Sequence, residues 1–325
     1  LLFLGKDKKE MEKGNCTMGN LTVEEFVLLG FLDLPKLREF LFGIFLFSYM
    51  IILAGNGLII IITATDQTLH TPMYFFLRNL SFLEICYTSV TLPRMLMSLQ
   101  TQDGTISFLS CAAQMCFLLM LGATECFLLA VMAYDRYVAI CNPLRYPIIM
   151  SHKACVLLAA GSWISDIPVQ IGQTSQIFSL PFCNSNKLNH FFCDIPPVLE
   201  LACGDTSMNQ LSVYAAALLF VTAPFLLILV SYVKIISTIL KLPSATGRRK
   251  AFSTCSSHLI VVTSFFGSAI ITYLWPKSSH SVDVDKFLSL FYTTVIPLFN
   301  PMVYSLRNKE VTVALKKYPV HWNLL

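Results

Sequence analysis

The chain has 325 residues, of which 55% are hydrophobic and only 13% charged, about half the charge of an ordinary soluble domain. That balance argues against a water-soluble module, and the net charge of +4 is a topological bias rather than a nucleic-acid-binding surface. Enzyme readings lack parts: there is no Gly-rich phosphate loop, no His-x-x-x-His or Cys-x-x-Cys pair and no nucleophile elbow.

In chain order, residues 1–39 read as an N-terminal tail. Two glycosylation acceptors lie in it, at Asn15 and Asn20. Residues 6–13 are too charged for the apolar part of a cleavable signal peptide, so the first span is expected to direct insertion; Met11 and Met18 are candidate starts. Residues 40–62 then run without a charge, long enough to cross a bilayer core of roughly 30 Å. Six more stretches of similar length follow at about 75–97, 108–133, 154–175, 209–236, 256–275 and 287–306. The fold expected is an all-α membrane protein, a seven-helix bundle over 40–306. In the tail, 307–325, Asn308 to Lys317 alternates apolar and charged residues as a short amphipathic surface helix does.

Charge orients the bundle. Thirteen of the 23 basic residues, including Arg136, Arg145, Lys153, Lys241 and the run Arg248-Arg249-Lys250, fall on one side. Setting aside four lysines far out in the N-terminal tail, the other side keeps six. The positive-inside rule places the basic side in the cytoplasm and the N-terminus outside. Four of the 11 cysteines, Cys111, Cys183, Cys193 and Cys203, then fall at outer helix ends or in the outer loop, about 176–208, where an oxidising compartment favours pairing. Four cysteines allow three pairings; the favoured one joins Cys111 to Cys193 and Cys183 to Cys203.

The decapeptide from Met132 to Cys141, with Asp135-Arg136-Tyr137 at its centre, sits where the third apolar run meets the basic side. It occurs with Gly55-Asn56, the segment from Leu69 to Leu77, Ser231-Tyr232, the segment from Lys250 to Leu259, and the closing Asn300-Pro301-Met302-Val303-Tyr304. In this order the set resembles the vertebrate olfactory receptors of the rhodopsin-like G-protein-coupled family, over roughly residues 24–317. The resemblance implies a plasma-membrane receptor for a small volatile ligand that activates a heterotrimeric stimulatory G protein and raises cyclic AMP.

A charge near the hydrocarbon edge needs a partner, so Asp135 is expected to hold Arg136 at rest and release it when the sixth helix swings out. Tyr232 and Tyr304 are similar to family tyrosines that rotate inward, and Pro301 removes a backbone hydrogen bond where the seventh helix can bend. Phe252, Lys250 and Arg249 are candidate G-protein contacts. His258 reads as structural or as part of the switch.

Glu84 and Glu125 lie mid-way along the second and third spans, where an acid marks a functional site by default. Facing each other they suit a cation or a shared proton; the family resemblance implies a sodium ion, with Asn56 and Asn300 near. Asp166, in the fourth span, receives no role. Helical periodicity puts Leu118, Leu119, Gly122 and Ala123 on one face of the third helix, four to five turns above Arg136. Ala216 and Phe220, the stripe Phe266, Ala269 and Tyr273, and Thr293 complete the expected ligand pocket. No charge is expected in its wall, which fits small, largely apolar, neutral molecules. A related receptor for a non-odorant metabolite, or one that no longer signals, is the nearest alternative. A secondary transporter is less favoured, since transporters show internal repeats and the two halves of this chain show none.

Overall fold

The computed structural model describes residues 24–31, 35–183, 185–241, 244–274, 282–306, 311, 313 and 314; at 35, 245–247, 249–251, 253, 254, 272–274, 282–285, 305 and 306 only the backbone is described. Among them, seven long helices form the bundle. They are α1 (Arg38–Thr65), α2 (Pro72–Thr101), α3 (Phe108–Cys141), α4 (His152–Ile164 continued as Ile167–Phe178), α5 (Ser207–Leu240), α6 (Ala245–Leu274) and α7 (Val282–Leu290, Phe291–Val295 and Ile296–Leu306). In hydrocarbon every backbone N–H and C=O must be satisfied within the chain, which makes each apolar run a helix.

The helices overrun the apolar stretches that announce them. α3 continues past residue 133 through Arg136 to Cys141, because apolarity marks hydrocarbon thickness whereas the backbone ladder continues into the interface. The bundle is apolar outward: Phe47 is 68% and Val233 65% exposed, while Asn56, Ser81, Glu84, Thr88, Glu125 and Asn300 are buried. Five helices among the described residues are long and apolar enough to cross a membrane, and α6 holds a shorter apolar stretch, Cys255–Ile271. α2 is long enough but more polar, since much of its surface faces α1 and α3.

Prolines shape three of the helices. α4 is interrupted at Ser165-Asp166, just before Pro168, which has no N–H to continue the ladder. α5 and α7 each contain a π turn, Leu218–Thr222 and Phe291–Val295, ending two residues before Pro224 and Pro297. The wider turn relieves the clash of the proline ring with the preceding carbonyl and shifts the helical register by one residue.

One end of the bundle is capped by a small sheet. β1 (Glu25–Leu28) lies between β2 (Thr105–Ser107), to which it is antiparallel, and β3 (Lys187–Leu188), to which it is parallel. Phe26 of β1 is fully buried against the rings of Phe108, Phe178 and Phe182. This sheet adds to the all-α expectation: three strands of two to four residues are too short to show alternation in a sequence. At the other end, the expected surface helix over 308–317 lies largely outside the described residues. Val311 and Ala314 are helical and buried in the bundle core, whereas Val313 is exposed, so the buried face follows a spacing of three rather than alternation.

Candidate functional site

Toward the sheet end a cavity lies between α2, α3, α4, α5, α6 and α7, with about 100 Å³ of space inside it. Leu118, Leu119, Gly122 and Ala123 form the α3 wall, facing Ala216 and Phe220 of α5 and Ala269 of α6. A Cβ placed on Gly122 meets nothing within 4 Å, so the glycine leaves room for an occupant.

Two pocket expectations fall elsewhere. Phe266 is fully buried beside the wall, its ring 5.2 Å from Phe225, and Phe265 lines the cavity instead. Thr293 is buried with its hydroxyl donating to the Ser289 carbonyl at 2.6 Å, and Tyr292 faces the cavity in its place. The π turn at 291–295 explains that one-residue displacement. The side chain of Tyr273 lies outside the described residues.

The expectation of a wall without charge is overturned. Asp194, from the loop between α4 and α5, lines the cavity together with Gln170 and Gln173 of α4. Asp194 accepts hydrogen bonds from the Ile195 N–H at 2.8 Å and the Tyr292 hydroxyl at 3.2 Å. Periodicity within the spans had no means of placing a loop residue beneath the mouth.

The loop is held as a fixed roof. Cys193 is disulfide-bonded to Cys111 of α3, and Cys183 to Cys203 within the loop, with Cα separations of 5.4 and 5.8 Å. Gln114 reinforces the first link: its carbonyl oxygen accepts from the Cys193 N–H at 3.0 Å, and its amide donates to the Val90 carbonyl at 3.0 Å. On the far side, His190 pairs with Ser289 of α7 at 2.9 Å.

Below the cavity, the Asn300 side-chain amide donates to Glu84. Glu84 and Glu125 are near enough for their charges to interact, and Glu84 Oε2 and Glu125 Oε1 have no hydrogen-bond partner among the described residues. Two carboxylates with free oxygens and an amide between helices suit a small cation or a shared proton. The Asn56 side-chain amide donates to the Ile52 carbonyl of its own helix at 3.0 Å. Its neighbour Gly55 has a packing role: a Cβ there would come within 3.1 Å of Pro301, so the glycine lets α1 approach α7 at its proline.

At the opposite end from the sheet, Arg136 is bonded to Asp135 through Nε at 3.0 Å and through Nη2. The other carboxylate oxygen of Asp135 accepts from the Tyr146 hydroxyl at 2.8 Å. Tyr146, in the short helix Tyr146–Ile149, was not anticipated; a tyrosine eleven residues after an acid carries no signal of its own. Its burial and the adjacent Asp135 charge hold the phenol in its protonated, donating form. Tyr232 of α5 lies 2.7 Å from His258 Nδ1 of α6, with the rings stacked, which gives His258 a bond across the two helices. Tyr137 is half-buried, its ring 6.2 Å from Tyr134. The Tyr304 hydroxyl is buried without a partner among the described residues. Phe252 is exposed at the base of α6, while the side chains of Arg249 and Lys250, like Asn15 and Asn20, lie outside the described residues.

Residues 45–320 match a family model described as olfactory receptor. The chain belongs to the olfactory receptor family. Among human relatives, olfactory receptor 10AG1 is 60% identical over 293 residues, covering 90% of this chain and 97% of the relative. Olfactory receptor 10A5 is 55% identical, with 92% and 95% covered, and olfactory receptor 10A4 is 56% identical, with 91% and 94% covered. The crystal structure of squid rhodopsin superposes with a TM-score of 0.72 at 17% identity, covering 89% of this chain and 81% of that one, which identifies the receptor as sharing the rhodopsin fold. It is a multi-pass membrane receptor rather than an enzyme.

Proposed function

We propose that this receptor binds small, largely apolar volatile molecules in the cavity beneath the loop roof. It then activates a stimulatory G protein at the Asp135-Arg136-Tyr137 end and raises cyclic AMP. The observation that carries this reading is the alignment of a roofed cavity and a tethered arginine along one helix, α3. A ligand at Leu118 to Ala123 and a partner at Arg136 engage opposite ends of the same rigid element.

Binding can shift the equilibrium only by contacting the active arrangement better than the resting one. Outward movement of α6 would separate His258 from Tyr232 and open the space over Arg136; α7 can bend at Pro301, where one ladder bond is missing. Freed from Asp135, the guanidinium becomes a donor for backbone carbonyls of an inserted G-protein helix. Glu84, Glu125 and Asn300 would hold a sodium ion or share a proton, neutralising the buried acids in the resting bundle. The sheet end, with Asn15 and Asn20 glycosylated, faces outward at the plasma membrane, and the basic end meets the cytoplasm.

The test is cyclic AMP in cells expressing surface-verified receptor with a stimulatory G protein, against a chemically varied panel of volatiles. A dose-dependent rise that disappears in Arg136→Ala supports the reading. A rise that persists undiminished in that variant sinks the mechanism.

A further inference from the structure

The α4 residues around the cavity have work left to explain. Asp166, Gln170 and Gln173 stand at i, i+4 and i+7 on one face of the helix, and the Gln170 N–H bonds the Asp166 carbonyl at 3.0 Å. Their exposures are 0%, 4% and 5%. Each carries polar atoms without a hydrogen-bond partner among the described residues: both Asp166 carboxyl oxygens, Gln170 Oε1 and Gln173 Nε2. Gln170 and Gln173 line the cavity. Asp166, one turn away, is close enough to Cys126, also in the wall, for their charges to interact.

Buried polar atoms are nearly always paired, and each exception calls for an occupant or a reason. Packing alone would be served better by leucine at both glutamine positions, since an unpaired buried amide is costly. The two free atoms are also complementary, because Gln170 Oε1 asks for a donor and Gln173 Nε2 for an acceptor.

We propose that Gln170 and Gln173 form a hydrogen-bonding subsite of the cavity that takes the hydroxyl group of an alcohol or phenol, with the apolar remainder of the ligand along α3 and α5. A hydroxyl is the smallest group that donates and accepts at one atom. An ether or ketone only accepts and leaves the Gln170 oxygen bare. An ammonium only donates and leaves the Gln173 amide bare. A carboxylate would bring a negative charge beside Asp194 and Asp166. The proposal deepens the odorant reading above and rests on it.

The experiment measures cyclic AMP from the full-length receptor in cells, with surface display quantified, for a panel of alcohols and phenols, each matched with its methyl ether and parent hydrocarbon. Hydroxyl compounds are expected to act at concentrations about tenfold lower than their ethers, the scale of one well-made hydrogen bond. Gln170→Leu should move the alcohol curves about tenfold to the right and leave the ether curves in place, whereas Gln173→Leu, which removes the donor that an ether oxygen also uses, should move both sets of curves. Where a leucine variant fails to reach the surface, Gln170→Met or Gln173→Met, closer in length, carries the same comparison. Ethers as potent as alcohols in the unmutated receptor, or an alcohol preference intact in both variants, would overturn the subsite. Activation by other volatiles but by no alcohol also overturns it and leaves the receptor reading standing. Silence of a displayed receptor toward every volatile defeats that reading and the subsite with it.

Discussion

The two ends of the bundle are built for opposite purposes. The sheet end is fastened by two disulfides, a three-stranded sheet, a cluster of four phenylalanine rings and the Gln114 bridge. The other end holds its arginine with one carboxylate, itself steadied by one tyrosine hydroxyl. Covalent links and buried rings keep a cavity in one shape, which a binding site for small rigid molecules needs. An ion pair at the membrane edge is a reversible tie, strong enough to bias a state and weak enough to be exchanged for a partner. Permanence where the ligand sits and exchangeability where the partner sits are what the difference teaches.

Breaking the permanent end should have the largest effect. The Cys111–Cys193 bridge closes a sequence separation of 82 residues, which in the chain-entropy view is worth roughly 4–5 kcal/mol. Cys183–Cys203 closes 20 and is worth about 3 kcal/mol on the same view. Cys111→Ser is therefore expected to abolish surface display, and Cys183→Ser to reduce it, as read by antibody labelling of intact cells. Equal, normal display of both variants would show that the sheet and the rings fasten the roof unaided.

At the exchangeable end the sign of the effect separates the partners. On the proposed mechanism Arg136→Ala removes the group that would meet the G protein, so agonist-driven cyclic AMP should vanish while display is kept. Asp135→Asn loosens the tie and should raise the signal without ligand. Tyr146→Phe removes one hydrogen bond to a charged group, worth about 1.5–3 kcal/mol, and should raise that basal signal too, by less than Asp135→Asn. A basal signal in Tyr146→Phe no different from the unmutated receptor would leave the tyrosine as packing only.

The same contrast explains what could be read from the sequence. Motifs embedded in one continuous helix were legible: Arg136 is fixed relative to Asp135 by adjacency, and Leu118 to Ala123 by helical period. What depended on a change of period was not. Thr293 gave way to Tyr292 because a π turn intervenes, and Gln170 and Gln173 follow a break at Ser165-Asp166 that uniform periodicity passes over. What depended on long-range closure was hidden too. β1 pairs with residues some 80 and 160 positions away, and Asp194 lies at the cavity in a loop whose neighbouring Cys193 is tied to α3. The Asn300–Glu84 bond lay between: both residues stood out, but only the fold makes them meet.

The smallest expected effect lies at the permanent end, in an acid-sensitive turn. The Asp103 carboxylate accepts from the Thr105 hydroxyl at 2.6 Å and the Thr105 N–H at 2.8 Å, shaping the turn into β2. Chiefly the hydroxyl bond, and then the backbone one, hold its pKa below the ordinary value. A depressed pKa in the folded state adds stability above the unfolded pKa, near 4, and that increment disappears as the pH falls through the folded value. Asp205 repeats the arrangement on Ser207 at the start of α5. Both groups are fully exposed, so solvent screens the gain. The melting temperature of detergent-solubilised receptor should therefore fall slightly less on acidification in Asp103→Asn than in the unmutated protein. A larger acid response in that variant would place the acid sensitivity elsewhere and leave the roof indifferent to pH. An unchanged response would mean that the strand pairing and the Cys111–Cys193 bridge fix the turn without its cap.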